Sequence, residues 1–200
     1  MGKKIAIDTY YYKDRAKTVG VIFNEWEDQE PEKVIWSWLS SDKYGPYIPG
    51  EFYKRELPCI MDLLNQVPDI LDYDAIILDG LARLPRINPD DELREGLGLH
   101  LEAALDEKYP DFRNHHPTDP MKIYGPAIIG VAKTPFKGAD SDTGIAKVYR
   151  GEAKNPLYVC TTWFNMSANH AGECIKSMAG DYRIPTLLKI LDRETKLDVL

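Results

Sequence analysis

The sequence has few cysteines and no long apolar run. Its three cysteines, Cys59, Cys160 and Cys174, are far apart, and each lies in an apolar segment. This spacing fits neither a zinc site nor a disulfide framework and favours buried thiols in a reducing compartment. No run reaches the roughly 18 to 20 apolar residues of a membrane-spanning helix, and the amino terminus lacks the apolar stretch of a signal peptide. We therefore expect a soluble, cytoplasmic protein with no membrane partner.

An excess of basic charge is also missing. The formal net charge of the 200 residues is -7. This argues weakly against a nucleic-acid partner, because phosphate binding is usually driven by a basic surface. It does not exclude one, since a nuclease that holds divalent ions needs clustered carboxylates, whose charge the metal balances locally.

The apolar content, 44%, is enough for one core, and we expect a single domain over residues 1–200. The chain opens with short β-branched or aromatic runs separated by polar turns, which predict three consecutive strands in a meander. These runs are Lys4–Tyr10, Thr18–Trp26 and Lys33–Ser40.

Four segments carry helix signals. Pro58 suits the first turn of one helix, so that Glu56 comes just before it. A second helix is indicated by an apolar stripe from Leu93 to Ala104. Ser167 is expected to cap the third helix and Pro185 to open the fourth.

The other segments predict strands and one loop. Ala75–Gly80 and Ala127–Lys133 have the continuous apolar character of buried strands, and Ile145–Arg150 with Leu157–Trp163 suggests a hairpin. Tyr109–Gly125 has no periodicity and indicates an inserted surface loop. Because buried parallel strands need crossover helices, this order predicts an α/β, ribonuclease H-like mixed sheet flanked by helices. A Rossmann fold is disfavoured, since no Gly-x-Gly-x-x-Gly follows the first strand.

Two aspartates close apolar strands. Asp8 follows Ile5–Ile7, and Asp79 follows Ile76–Leu78. An acid there is costly to bury unless it is paired or metal-bound, although for either residue alone a turn-capping role is as good an interpretation. If the strands are neighbours, the carboxylates converge and favour a divalent cation. Asp192 falls near the inward face of the last helix, but by itself it is better interpreted as a solvated helical charge.

Several motifs resemble those of the endonuclease V family. Gly45–Gly50 with Arg55-Glu56 resembles its Tyr-Ile-Pro-Gly…Arg-Glu motif, and Leu78-Asp79-Gly80 resembles its strand-ending Asp-Gly motif. Further matching blocks are Ile129–Lys133, Asn155-Pro-Leu157 and Tyr182-Arg-Ile-Pro185. Their order and approximate spacing hold from residue 4 to about residue 193, so together they are far more specific than any one motif.

The resemblance implies a nuclease that uses Mg²⁺ or Mn²⁺ to cut a phosphodiester near a deaminated base, typically inosine, in DNA or RNA. The implied metal-binding acids are Asp8, Glu56, Asp79 and Asp192, the last at a position that is His or Asp in relatives. His100 matches the family's histidine on the second helix, and Lys133 matches its active-site lysine. For His100, a satisfied core histidine is a competing interpretation. We expect a monomer.

The segment Gly45–Gly50, which contains two prolines, has a mechanical interpretation. A loop stiffened by prolines and tipped by Tyr47 and Ile48 can push between bases and part a strand while a nucleotide is flipped out. Gly50 and Gly80 would let backbone amides approach the base. The implied substrate-binding residues are Tyr47, Ile48, Pro49, Gly50 and Gly80. The alternative is a rigid turn whose Tyr47 packs on its own core.

The chain also departs from the family. Leu81-Ala82 replaces the family's His-Gly after the Asp-Gly motif, a Gly-His block is missing around Thr161–Phe164, and the amino-terminal helical segment is absent. Because the acids are retained and the pocket is altered, cleavage is better supported than inosine specificity. Two alternatives follow: a nucleic-acid-binding paralogue without turnover, and a nuclease of the same fold for another lesion or a flap.

Overall fold

The computed structural model of the chain describes residues 2–49, 51–80, 96–134 and 144–198. The strands in these ranges are β1 (Lys4–Tyr11), β2 (Arg15–Phe23), β3 (Lys33–Ser40), β4 (Ala75–Asp79), β5 (His115–His116), β6 (Asp119–Ile123), β7 (Ala127–Ala132), β8 (Ala146–Val148) and β9 (Leu157–Thr161). The helices are α1 (Tyr53–Leu64), α2 (Leu97–Lys108), α3 (Ala168–Ser177) and α4 (Thr186–Thr195), with short 3-10 turns at Ser41–Lys43 and Ile70–Asp72.

Seven strands form one mixed sheet in the order β3-β2-β1-β4-β7-β9-β8. The first three strands are an antiparallel meander, β1, β4 and β7 run parallel, and β9 pairs antiparallel with both β7 and β8. The predicted meander, the β8–β9 hairpin and the α/β, ribonuclease H-like class are confirmed. Because β1, β4 and β7 are parallel, their carboxyl ends meet at one edge of the sheet.

Helices cover both faces of the sheet. On one face the side chains of Ile5, Ile7 and Leu78 pack with α1 and α2. On the other, Ala6 and Ile77 pack with α3 and α4. Since side chains alternate along a strand, this pattern fixes the face on which each strand-end residue lies.

The first helix begins earlier than the sequence predicts. It starts at Tyr53, so Pro58 lies inside it and Glu56 lies in its first turn rather than before it. That part of the prediction was wrong. The proline removes one backbone donor, but the helix continues because Ile60, Leu63 and Leu64 are buried against the sheet beyond it.

The segment Tyr109–Gly125 contains more structure than a loop. Strands β5 and β6 pair antiparallel with an irregular register, forming a small second sheet. The segment carries no strand signal because the hairpin is largely solvent-exposed, with Met121 90% exposed, and therefore has no apolar alternation.

The predicted helix starts at the carboxyl-terminal end are confirmed. The Ser167 hydroxyl accepts a hydrogen bond from the His170 amide at 3.2 Å, and Pro185 directly precedes α4. The apolar stripe predicted for the second helix begins at Leu93, which lies outside the described residues, and within them α2 begins at Leu97. All three cysteines are buried, as the sequence predicts. Within the described ranges, no helix has the length and apolar character to cross a membrane.

Candidate active site

Asp8 and Asp79 stand side by side at the edge where the parallel strands end. The pairing of β1 with β4 runs to Ile7 opposite Leu78, and the two aspartates are the next residue of each strand. Both follow the alternation of Ala6 and Ile77, so they lie on the face covered by α3 and α4. The predicted convergence of the two strand ends is therefore what the structure contains.

Lys133 and Asp192 lie around the same pocket. Asp79 is level with Val131 on β7, and Lys133 comes two residues later on the same face. Asp192 reaches the pocket from α4, with an ion pair of 3.1 Å to Lys196, one helical turn later. The side chains that line the pocket are Asp8, Ile77, Leu78, Asp79, Val131, Lys133, Ile184, Leu188, Leu191 and Asp192.

Glu56 approaches the aspartates from α1. Burial raises the pKa of its carboxyl to about 7, helped by the negative charges of Asp8 and Asp79. Burial likewise raises the pKa of Asp8 to about 7, with Asp79 adding to the effect, while a hydrogen bond from the Thr9 amide opposes it. Burial also raises the pKa of Asp79, against the lowering effect of Lys133. The site thus holds like charges that its own cations do not balance.

This donor set suits a divalent ion of the Mg²⁺ or Mn²⁺ type. All four acids offer hard oxygen ligands, and a bound cation would favour their ionised forms. In the part of the chain that the structure describes, no three His, Cys, Asp or Glu side chains stand close enough together to hold a metal ion. The residue types at the site nevertheless fit such an ion, because carboxylate oxygens are the ligands that it prefers.

His100 lies against α1 and is not among the residues that line the pocket. Its ring stacks on that of Tyr53 with centroids 3.6 Å apart and planes inclined by 6°. Tyr53 is on the first turn of α1, three residues before Glu56. The structure therefore brings His100 to the helix that carries Glu56.

The loop before α1 presents its aromatic tip to solvent. Tyr47 is 58% exposed and Ile48 41%, so Tyr47 does not pack on a core of its own. The guanidinium of Arg55 lies 3.5 Å from the centroid of the Tyr11 ring and 6.0 Å from that of the Tyr47 ring. Pro49 is also exposed, whereas Gly50 lies outside the described residues.

The backbone amide of Gly80 has a partner within the sheet. Its amide donates to the Val131 carbonyl at 2.8 Å, so it is not free to approach a base. Its φ of +109° explains the glycine, because side chains other than hydrogen are strained there. The altered Leu81-Ala82 lies outside the described residues. Trp163, the other departure, follows β9 at the end paired with the start of β7, which is the edge opposite Asp8 and Asp79.

Two basic residues at the site were missed by sequence reasoning. Arg183 donates to the backbone carbonyls of Lys133 and Pro156, the latter at 2.8 Å, and so fixes the segment that carries Lys133. Lys196 pairs with Asp192. The four-residue spacing was a usable signal for Lys196, but nothing in the sequence identifies backbone acceptors for Arg183.

Sequence comparison finds no matching family model and no matching curated protein. Structure comparison finds endonuclease V of Ciona intestinalis, in complex with a 24mer DNA containing an inosine followed by a ribo-adenosine, with a TM-score of 0.67 and 16% identity over 98% of this chain and 84% of that one. Human ENDOV gives 0.66 and 17% identity over 98% and 83%. Endonuclease V of Streptomyces avermitilis gives 0.61 and 19% over 98% and 80%. The chain therefore has the fold of endonuclease V along nearly its whole length.

Proposed function

We propose that this chain is a divalent-metal-dependent endonuclease, a divergent member of the endonuclease V family. It would cut a phosphodiester near a deaminated purine, inosine, in DNA or RNA. The observation that carries the proposal is the cluster at the ends of β1 and β4, where burial and mutual repulsion raise the pKa of Asp8 and of Glu56 to about 7. Folding gives no reason to hold repelling acids together, whereas a cation-binding site does.

Each residue of the cluster has a part in this proposal. Asp8, Glu56, Asp79 and Asp192 would hold Mg²⁺ or Mn²⁺. When bound, such an ion supplies a reactive water at neutral pH and positive charge beside the phosphate. Lys133 would stabilise the charge that develops on the phosphate oxygens, from a backbone position that Arg183 fixes.

The remaining site residues bind the strand. His100, held flat on Tyr53, would donate a hydrogen bond to a phosphate oxygen beside α1. The exposed Tyr47-Ile48-Pro49 tip would part the strand, with Gly50 completing the loop. Gly80, whose own amide is occupied, would serve through its positive φ, which lets the chain turn directly after Asp79.

The test is a cleavage assay with Mg²⁺ or Mn²⁺ and labelled DNA and RNA strands, each with and without a single inosine. We expect the protein to cut beside the inosine, and we expect a chelator to abolish this cleavage. Binding without cleavage would favour the paralogue without turnover, and equal cleavage of strands with and without inosine would remove the inosine part of the proposal. Sedimentation of the same sample tests the expected monomer.

A nuclease of this fold with a different target is the second candidate. It is favoured by Leu81-Ala82, which replaces the family's His-Gly pair, and by the Gly80 amide, which already donates to the Val131 carbonyl. Strands that carry other deaminated bases, and flap structures, belong in the same assay for this reason. Cleavage of one of these in preference to inosine would select this candidate.

A further inference from the structure

A second groove opens next to the candidate active site. It has a volume of about 770 Å³ and is lined by Gly151, Glu152, Ala153, Asp181, Tyr182, Arg183, Ile184 and Lys189. Ile184 also lines the pocket that holds the carboxylates. The groove therefore continues the surface of the candidate active site, on the side of the amino-terminal end of α4.

The most prominent side chain in the groove is Tyr182, which is 68% exposed. The ammonium of Lys189 lies 3.8 Å from the centroid of its ring. An exposed aromatic ring with a cation beside it offers a base a surface to stack on and offers the adjoining phosphate an opposite charge.

The backbone that carries Tyr182 is held firmly. Arg150, only 4% exposed, donates to the carbonyls of Tyr182 at 2.7 Å and of Gly180 at 3.0 Å, and also to that of Met178. Gly151 packs so closely that a Cβ there would stand 2.0 Å from the Asp181 carbonyl oxygen. Such clamping lowers the entropy cost of binding a ligand on the ring, because the loop is ordered in advance.

We propose that this groove binds a nucleotide that flanks the cut, with its base stacked on Tyr182 and its phosphate beside Lys189. The inference rests on the proposed nuclease function and adds to it a second contact, so that a strand is held both at the Tyr47 tip and at Tyr182. The occupant is single-stranded, because only an unpaired base can present its face to a ring on the protein surface.

The experiment measures affinity and location separately. Asp79→Asn serves as the parent, so that a fluorescein-labelled single strand stays intact in Mg²⁺, and anisotropy gives the Kd. Adding Tyr182→Ala should weaken binding about 5-fold or more, the usual range for one lost base stack, while Tyr182→Phe should bind as the parent does. Tyr149→Ala is the matched control, since Tyr149 is also exposed but lies in a different groove, between β8 and α3.

Location is tested with strands that carry 5-iodouracil at each position in turn around the inosine, because this base crosslinks on irradiation to an aromatic ring stacked on it. A crosslink to Tyr182 from one flanking position supports the proposal. If the otherwise unchanged protein cuts the strand, and Tyr182→Ala neither weakens binding nor removes a crosslink, the groove assignment alone is overturned. If the chain neither binds nor cuts any strand, the nuclease proposal fails and this inference fails with it.

Discussion

Asp8 and Asp79 are the residues that follow the last paired residues of β1 and β4, so their carboxyl groups project side by side from neighbouring parallel strands. Together with Glu56 they form a group of acids, of which Asp8 and Glu56 are half-buried, and protonation relieves the repulsion among them. The pKa of Asp8 rises from 3.8 to about 7 and that of Glu56 from 4.5 to about 7, in both cases mainly by burial. The stability of the protein should therefore respond to pH and to divalent ions.

The first prediction concerns that response. Between about pH 4 and pH 7 the folded chain binds these protons more tightly than the unfolded chain does, so without metal the free energy of unfolding should fall as pH rises and level off above pH 7. Asp8→Asn should be more stable than the parent at pH 8 in EDTA, by ~1 to 2 kcal/mol. Urea unfolding from pH 5 to pH 8 measures both effects.

Added Mg²⁺ should stabilise the parent at pH 8 and flatten its pH profile, because the ion then favours the ionised acids. Asp8→Asn should gain much less from Mg²⁺. Glu107→Gln, which removes an exposed acid from α2, is the control and should behave as the parent. A parent profile that is flat in EDTA and unaffected by Mg²⁺ would argue against a cation site at this edge.

The second prediction is that Asp79→Asn lowers the cleavage rate by about 100-fold or more, while the variant still folds and binds a strand. The amide keeps the shape of the side chain but removes a charged ligand, and so should affect turnover rather than binding. Single-turnover rates and strand affinity, measured with Glu107→Gln in parallel, separate the two effects. Retained turnover would move the chemistry away from this strand end.

The third prediction separates two roles of His100. His100→Phe preserves an aromatic ring against Tyr53 but removes the ring nitrogens, so the stacking contact should be kept while kcat falls about 10-fold or more. His100→Ala should lose both. If the phenylalanine variant cuts as fast as the parent, His100 acts only by packing against α1.

Much of this site could be predicted from the sequence, because the sequence pattern shows where a buried strand ends. The apolar runs that end in Asp8 and Asp79 indicate both the strands and the position of each acid at a strand end. Because β1 and β4 are parallel neighbours, the two acids then lie at the same edge of the sheet. Glu56 was found by its motif, although its place inside α1 was missed, since Pro58 is a stronger helix-start signal than the packing beyond it.

Contacts that depend on backbone hydrogen-bond acceptors could not be predicted from the sequence. Arg150 and Arg183 act on carbonyl groups, which every residue has, so no residue pattern marks their targets. The occupied amide of Gly80 was missed for the same reason. The exposed β5–β6 hairpin has no buried face and therefore left no periodic signal.

The last prediction assigns different roles to the loop before α1 and to the residues expected at the base pocket. Tyr47 is exposed at the tip of a proline-stiffened loop, so Tyr47→Ala should weaken cleavage of every strand by a similar factor. A lost stack costs roughly 1 to 3 kcal/mol whatever the base, which corresponds to about 5-fold to 100-fold in rate. Ser41→Ala, at an exposed position earlier in the same connection, is the control.

Leu81 and Ala82 should instead govern the choice of base. Replacing them with the His-Gly pair that the family has at this place should raise the preference for inosine over adenine or guanine, because a polar group that hydrogen-bonds the base discriminates more strongly than an apolar one. The metal requirement should not change, since Asp8, Glu56 and Asp79 are untouched. The measurement is the ratio of cleavage efficiencies on inosine-containing and unmodified strands, for the parent, Tyr47→Ala and the double replacement. If Tyr47→Ala alters that ratio, or the double replacement leaves it unchanged, the loop and the pocket do not divide the work in this way.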